Sequence, residues 1–190
     1  VFEQLVFAGY AELPIDPRFL ETHAPHIYGG FERIIKSQSR DRFAIALPRN
    51  DELPEDMESG DMSRADDETK NQFHYFAGID SVLRLQRAPL AGLRQMFESA
   101  SALDTAAHQI ACAVGYFCDE HNAQIERHRQ YQGSLAMRFA DGKRILRILD
   151  YLPHPHRTEA PDAKVHIDRS GLTIHWESTH PGLVLWDRQG

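Results

Sequence analysis

Lys164-Val165-His166-Ile167-Asp168 is followed by Arg169-Ser170-Gly171-Leu172-Thr173-Ile174-His175-Trp176. Side chains two positions apart on a strand point to the same face, so His166 and Asp168 aim an imidazole nitrogen and a carboxylate oxygen at one point. These are two of the three groups in the 2-His-1-carboxylate triad, which holds non-haem iron(II) and leaves positions open for substrate and oxygen. A third ligand does not stand out. The histidines downstream are His175, within an apolar strand pattern, and His180, beside Pro181 in a turn sequence, and both are poor substitutes. The competing structural reading has His166 and Asp168 hydrogen-bonding their neighbours on a solvent face.

Composition narrows the setting. With 190 residues, 42% hydrophobic and 26% charged, the chain suits one sizeable core and is expected to form a single domain. A formal net charge of -7 argues against nucleic acid or an anionic membrane as partner, because both need a basic face. No apolar run reaches the roughly 18 residues of a membrane span, and Val1-Phe2-Glu3-Gln4 does not read as a signal peptide. Cys112 and Cys118 fall in a helical pattern, and six helical positions correspond to about 600° of rotation, so a disulfide between them is not expected. Two reduced packing cysteines and a cytoplasmic location follow as expectations. His154 and His156 sit in a proline-stiffened segment that reads as a solvated loop.

The elements that must hold the His166–Asp168 pair are legible from hydrophobic period. Phe7 to Ile15 reads as a helix end, a stop at Gly9 and a short strand. Asp16-Pro17 supplies an N-cap and a first-turn proline for a helix through about His23, and Ile27 to Lys36 is weakly helical. Phe43 to Leu47 alternates like a strand. Residues 51–68 are rich in Asp and Glu and read as an acidic surface loop. Thr69 to Phe76 and a segment from Pro89 read as helical. Leu103, Ala106, Ala107, Ile110, Val114 and Phe117 form the clearest amphipathic helix, with Met96, Phe97, Tyr116 and Phe117 expected in or near the core. After Gly133 the period changes to two. Leu135, Met137 and Phe139 alternate, Asp141-Gly142 suggests a hairpin turn, and Ile145–Leu152, Leu172–Trp176 and Leu183–Trp186 read as strands. The fold class expected is α+β: a helical part over residues 1–132, packed on antiparallel jelly-roll strands over 133–190.

The last third of the chain resembles the isopenicillin N synthase-like family of iron(II)/2-oxoglutarate-dependent oxygenases. The matching segments are Leu146-Arg147-Ile148-Leu149-Asp150-Tyr151-Leu152-Pro153, Val165-His166-Ile167-Asp168-Arg169-Ser170-Gly171-Leu172-Thr173-Ile174 and Pro181-Gly182-Leu183-Val184-Leu185-Trp186-Asp187-Arg188-Gln189-Gly190. Less specifically, Glu68-Thr69-Lys70-Asn71-Gln72-Phe73-His74 looks like the family's helix before its long core helix. The resemblance implies a double-stranded β-helix with His166 and Asp168 as iron(II) ligands. It also implies that Tyr151 contacts the 2-oxoglutarate carboxylate and that a small organic substrate is oxidised, usually by hydroxylation. Leu149 departs from the pattern, since many members carry an asparagine there.

Family members carry the distal histidine, and an Arg-x-Ser that clamps 2-oxoglutarate, further beyond the metal strand than Gly190 lies. Trp186-Asp187-Arg188-Gln189-Gly190 reads as a strand running into a turn, which calls for a returning strand to cover its edge. The expectation is therefore the first part of a longer oxygenase. The alternatives are a non-catalytic jelly-roll binding module and a divalent-metal-binding protein without oxygenase activity. Substrate identity and oligomeric state leave no mark on the pattern.

Overall fold

The computed structural model describes residues 10–36, 70–79, 81, 84, 92–124, 131–151 and 171–176. Helix α1 spans Pro17–Lys36, strand β1 Lys70–Tyr75, helix α2 Arg94–His121, helix α3 Leu135–Asp141 and strand β2 Leu146–Tyr151. A 3-10 turn, Asn122–Gln124, follows α2 directly. The chain forms two compact units. One comprises Val1–Glu21, Thr105–Arg144 and Arg169–Gly190, the other Thr22–Asp104 and Ile145–Asp168.

Residues 10–16 form no regular element, so the short strand expected before Asp16 does not appear there. The start of α1 is dictated locally. Asp16 Oδ1 accepts from Arg18 N at 3.0 Å, and Pro17 stands at the first helical position, where its missing N–H is no loss. The two helical stretches read on either side of Pro25 are one helix, which forgoes a single bond at that proline and continues to Lys36.

In the second unit, α1 buries Ile27, Gly30, Phe31 and Ile34, a stripe at i, i+3, i+4 and i+7. This stripe meets Met96 of α2 at very close range: a Cβ built on Gly30 would lie 2.5 Å from Met96 Cβ. Met96, Ala100 and Leu103 are buried with it. His23 Nδ1 and the buried Ser99 Oγ lie 3.2 Å apart, and Arg33 Nη1 donates to Gly92 O at 2.8 Å just before α2 begins.

Residues 69–76, read above as helical, instead contain β1. Asn71, Phe73 and Tyr75 are buried in alternation, and the segment pairs antiparallel with β2 from Lys70↔Tyr151 to Tyr75↔Leu146. Phe73 and Tyr75, aromatic and two positions apart, suit a half-buried pleat, and the ladder overrides the modest helix propensity of Thr69-Lys70-Asn71. The Phe73 ring stacks on Phe97 with centroids 6.4 Å apart. Strand β2 falls within the expected Ile145–Leu152.

In the first unit, Leu135, Met137 and Phe139 are not a strand. They lie in α3, where Ser134 is the N-cap and its Oγ accepts from Met137 N at 3.1 Å. Leu135 and Phe139 are also four apart, a helical spacing, while Met137 is 66% exposed, contrary to a strand with all three facing inward. Gly115 of α2 allows α3 close, since a Cβ there would fall 2.7 Å from Ala136 N. Helix α2 contains all of the expected stripe from Leu103 to Phe117, but Tyr116 and Phe117 are exposed. Phe117 covers part of its ring on His121, one turn on, at 4.2 Å between centroids.

Residues 171–176 form a bend followed by irregular backbone, so Leu172–Trp176 makes no ladder among the described residues. Their exposure still alternates, with Leu172, Ile174 and Trp176 half-buried and Gly171, Thr173 and His175 exposed. Trp176 reaches Phe19, ring centroids 6.0 Å apart. The strands expected over Phe43–Leu47 and Leu183–Trp186 and the acidic loop expected over 51–68 lie outside the described residues.

The Gly30–Met96 approach yields a direct test. Gly30→Ala should destabilise the protein by about 2 kcal/mol through overpacking, lowering Tm by roughly 4–8 °C. Gly29→Ala, where nothing lies within 4 Å, should leave Tm unchanged or slightly raised. Equal effects of the two in a thermal melt would refute the close approach.

Candidate functional site

The ladder places Tyr151 at the end of β2. Directly paired residues share a face, so Asn71, Phe73, Tyr75, Leu146, Ile148 and Asp150 line one side. Phe73 and Ile148 are buried on it, and Phe73 meets α2. The other side carries His74, Arg147, Leu149 and Tyr151. Arg147 and Leu149 are exposed there, and Tyr151 is half-buried. Leu149 and Tyr151 thus share the face turned away from the Phe73 side.

On the Phe73 side sits a polar pair that sequence pattern did not single out. Asn71, 2% exposed, donates from Nδ2 to Asp150 Oδ2 at 3.0 Å. The two are direct partners in the ladder, adjacent in sequence to Lys70 and Tyr151. The signal available was an amide and a carboxylate on segments that each alternate, visible only once the register is known.

His166 and Asp168 lie outside the described residues, as do His154, His156 and His180. His175 is described and exposed. Among the described residues no group of three or more His, Cys, Asp or Glu side chains could hold a metal ion. Cys112 and Cys118 are free, half-buried thiols, as expected of packing cysteines, and burial, reinforced by the Asp119 charge, pushes the Cys118 thiol up.

Perturbed titration concentrates at Asp119. Its carboxylate accepts from Tyr131 Oη at 2.7 Å, Ser134 Oγ at 2.7 Å, Leu135 N at 2.8 Å and Ala136 N at 3.1 Å. The Ser134 hydroxyl foremost, then the two amides and the Tyr131 hydroxyl, hold this carboxyl well below the usual carboxylate range. Burial, followed by its bond to Asp119, drives the Tyr131 phenol well above its ordinary value. Clustered shifts of this kind mark functional sites and structural networks alike. Here every oxygen is committed to the N-terminus of α3 and to Tyr131, whose N and O are also held by Asn122 at 3.2 and 2.8 Å. The arrangement leaves no nucleophile or base presented to a ligand and reads as a staple.

A cleft of about 520 Å³ in the second unit is lined by Tyr75, Ile79, Arg84, Arg94, Phe97, Glu98 and Ser101. Arg94 Nε donates to Glu98 Oε1 at 2.7 Å across one helical turn, so its principal charges answer one another. It brings together neither a nucleophile with a base nor a set of metal donors. No helix among the described residues is long and apolar enough to cross a membrane. No protein-family model, curated protein or solved structure matches the chain.

The staple predicts a pH signature. Because the folded-state value of Asp119 is depressed, its contribution to stability is fully present above the unfolded carboxylate value near 4 and is lost as pH falls through the folded value. Asp119→Asn should therefore lower Tm at pH 7, and the gap to wild type should close progressively below about pH 4. A gap that stays constant from pH 7 to the lowest pH at which both fold would contradict the assignment.

Proposed function

We propose that this chain belongs to an iron(II)/2-oxoglutarate-dependent oxygenase that oxidises a small organic substrate, with His166 and Asp168 as two metal ligands and Tyr151 on the co-substrate. The observation that carries this reading is the His166-Ile167-Asp168 spacing with Gly171-Leu172-Thr173 and Pro181-Gly182-Leu183 following in order. Two features support it. The segment carrying Tyr151 forms a strand, and Tyr151 lies on the face opposite Phe73 and its α2 contact, half-buried as a ligand-contacting phenol needs to be. The proposed architecture is one α+β domain with a jelly roll, in a cytoplasmic protein.

The donor set fits iron(II): a neutral imidazole and an anionic carboxylate are the first two members of a facial triad. The bound metal would supply oxygen activation coupled to decarboxylation of 2-oxoglutarate. The chain's own contribution is binding and orientation. His166 and Asp168 would hold the ion through an imidazole nitrogen and a carboxylate oxygen. The Tyr151 hydroxyl would donate to a carboxylate oxygen of 2-oxoglutarate. Leu149, two residues earlier on the same face, offers an apolar wall where an amide would donate a second bond, so the co-substrate contact rests more heavily on Tyr151.

The test uses the longest open reading frame that contains this chain. Under anaerobic conditions, iron(II) with 2-oxoglutarate should give the weak visible band of a chelated complex, and with oxygen the protein should release succinate. His166→Ala and Asp168→Ala should each abolish both signals, Asp168→Ala at least as severely because it removes the anionic ligand. Tyr151→Phe should raise the 2-oxoglutarate requirement about tenfold, the equivalent of about 1.5 kcal/mol for one hydrogen bond. Iron binding without any response to 2-oxoglutarate would replace this reading with that of a metal-binding protein. No metal binding at all would leave a non-catalytic module.

A further inference from the structure

We infer that Asn71 and Asp150 form a register lock that fixes where Tyr151 stands, which makes Asn71 a positioning residue for the co-substrate contact. This rests on the role proposed above for Tyr151. Two strands of six residues each have few interactions with which to choose a register, and the choice must be made against specific competitors. A slip of one residue is rejected by hydrophobic pattern alone, because it would turn either Phe73 or Ile148, whichever strand slips, away from the core.

A slip of two residues is different. It keeps every side chain on its own face, so burial of apolar surface hardly opposes it. Sliding one way sets Asn71 opposite Ile148, and sliding the other sets Phe73 opposite Asp150. In both cases the buried Asn71 amide loses the Asp150 carboxylate at 3.0 Å, and a polar group is left against an apolar one. The pair therefore discriminates against the two registers that the apolar residues tolerate. A polar contact made by a buried side chain, here Asn71 to the half-buried Asp150, is an established physical means of specifying register.

The consequence falls on the other face. Asn71 and Asp150 each adjoin the last ladder pair, Lys70↔Tyr151. A two-residue slip would carry Tyr151 about 7 Å along β1, far more than a hydrogen bond to a bound carboxylate tolerates. Asn71 itself points to the side opposite Tyr151, so it acts through the backbone register and not by touching the co-substrate.

The experiment compares wild type, Asn71→Leu, Asp150→Leu and Asp150→Asn, the last retaining an amide–amide bond to Asn71. Register is read from cross-strand NOEs between residues 70 and 151, and function from iron(II) affinity and the 2-oxoglutarate half-saturation. Both leucine variants should weaken or shift the 70–151 NOEs and raise the 2-oxoglutarate half-saturation about tenfold, with iron(II) affinity unchanged. Asp150→Asn should keep the native NOEs and the wild-type half-saturation. Native NOEs in both leucine variants, or loss of register in Asp150→Asn, would overturn the inference. If the leucine variants fail to fold, Asp150→Asn together with Asp150→Ser, which shortens the side chain without adding apolar bulk, decides the matter by the same NOEs. If wild type shows no response to 2-oxoglutarate, the oxygenase reading falls, and the NOEs alone then decide whether the pair fixes Tyr151 opposite Lys70.

Discussion

The antiparallel ladder between β1 and β2 is the constraint on which the proposed site depends. It joins residues 70–75 to residues 146–151, and in doing so it sets which side chains face α2 and which face away. Phe73 and Ile148 anchor one face by burial, and that anchoring assigns Leu149 and Tyr151 to the other. Without the pairing, Tyr151 would be one phenol at the end of an apolar run. With it, the residue has a fixed height along the sheet and a defined face.

The helices are brought together by two different means, one in each unit. Between α1 and α2 the approach is steric, with Gly30 omitting a side chain where Met96 needs the space. Between α2 and α3 it is both steric and electrostatic: Gly115 admits the backbone of Ala136, while Asp119 satisfies the first amides of α3. A seven-residue helix has little stability of its own, so a carboxylate on its orphan N–H groups and a serine cap are what allow it to form.

Strong periodicity was legible in the sequence, and weak periodicity was not. The Asp16-Pro17 start, the long helix through Leu103 and Ile110 and the strand ending at Tyr151 all carry local signals that agree with their surroundings. The errors fell where two periods fit the same residues. Leu135, Met137 and Phe139 alternate, yet Leu135 and Phe139 are also one helical turn apart, and the deciding partner, Asp119, lies 16 residues before Leu135. Residues 70–75 mix two helix formers, Lys70 and Gln72, with strand-favouring Phe73 and Tyr75, and the pairing with the distant β2 decides for the strand. Phe117 satisfies a helical stripe but finds its cover in His121, within its own helix. Of the proposed site, the motif residues and Tyr151 were legible as residue types at spacings. The Asn71–Asp150 pair was not, because a cross-strand partner is a property of the register.

The contacts differ greatly in the length of chain they close. Asp119 reaches partners 12 to 17 residues away, whereas Asn71 and Asp150 are 79 apart. Loop-closure entropy grows by about 0.6 kcal/mol for each doubling of loop length, so the ladder carries an extra handicap of roughly 1.4 kcal/mol, little at equilibrium but decisive for sequence in time. The contacts of Asp119 with Tyr131 and the start of α3 are therefore expected to form first and the sheet bearing Tyr151 to close late. Destabilising changes in the ladder should then speed unfolding more than they slow folding, with φ-values below those at Asp119, and the reverse ordering would disprove it. A surface that closes last is expected to open early, so among the described residues the backbone of the face carrying Tyr151 should exchange more readily than that around Asp119.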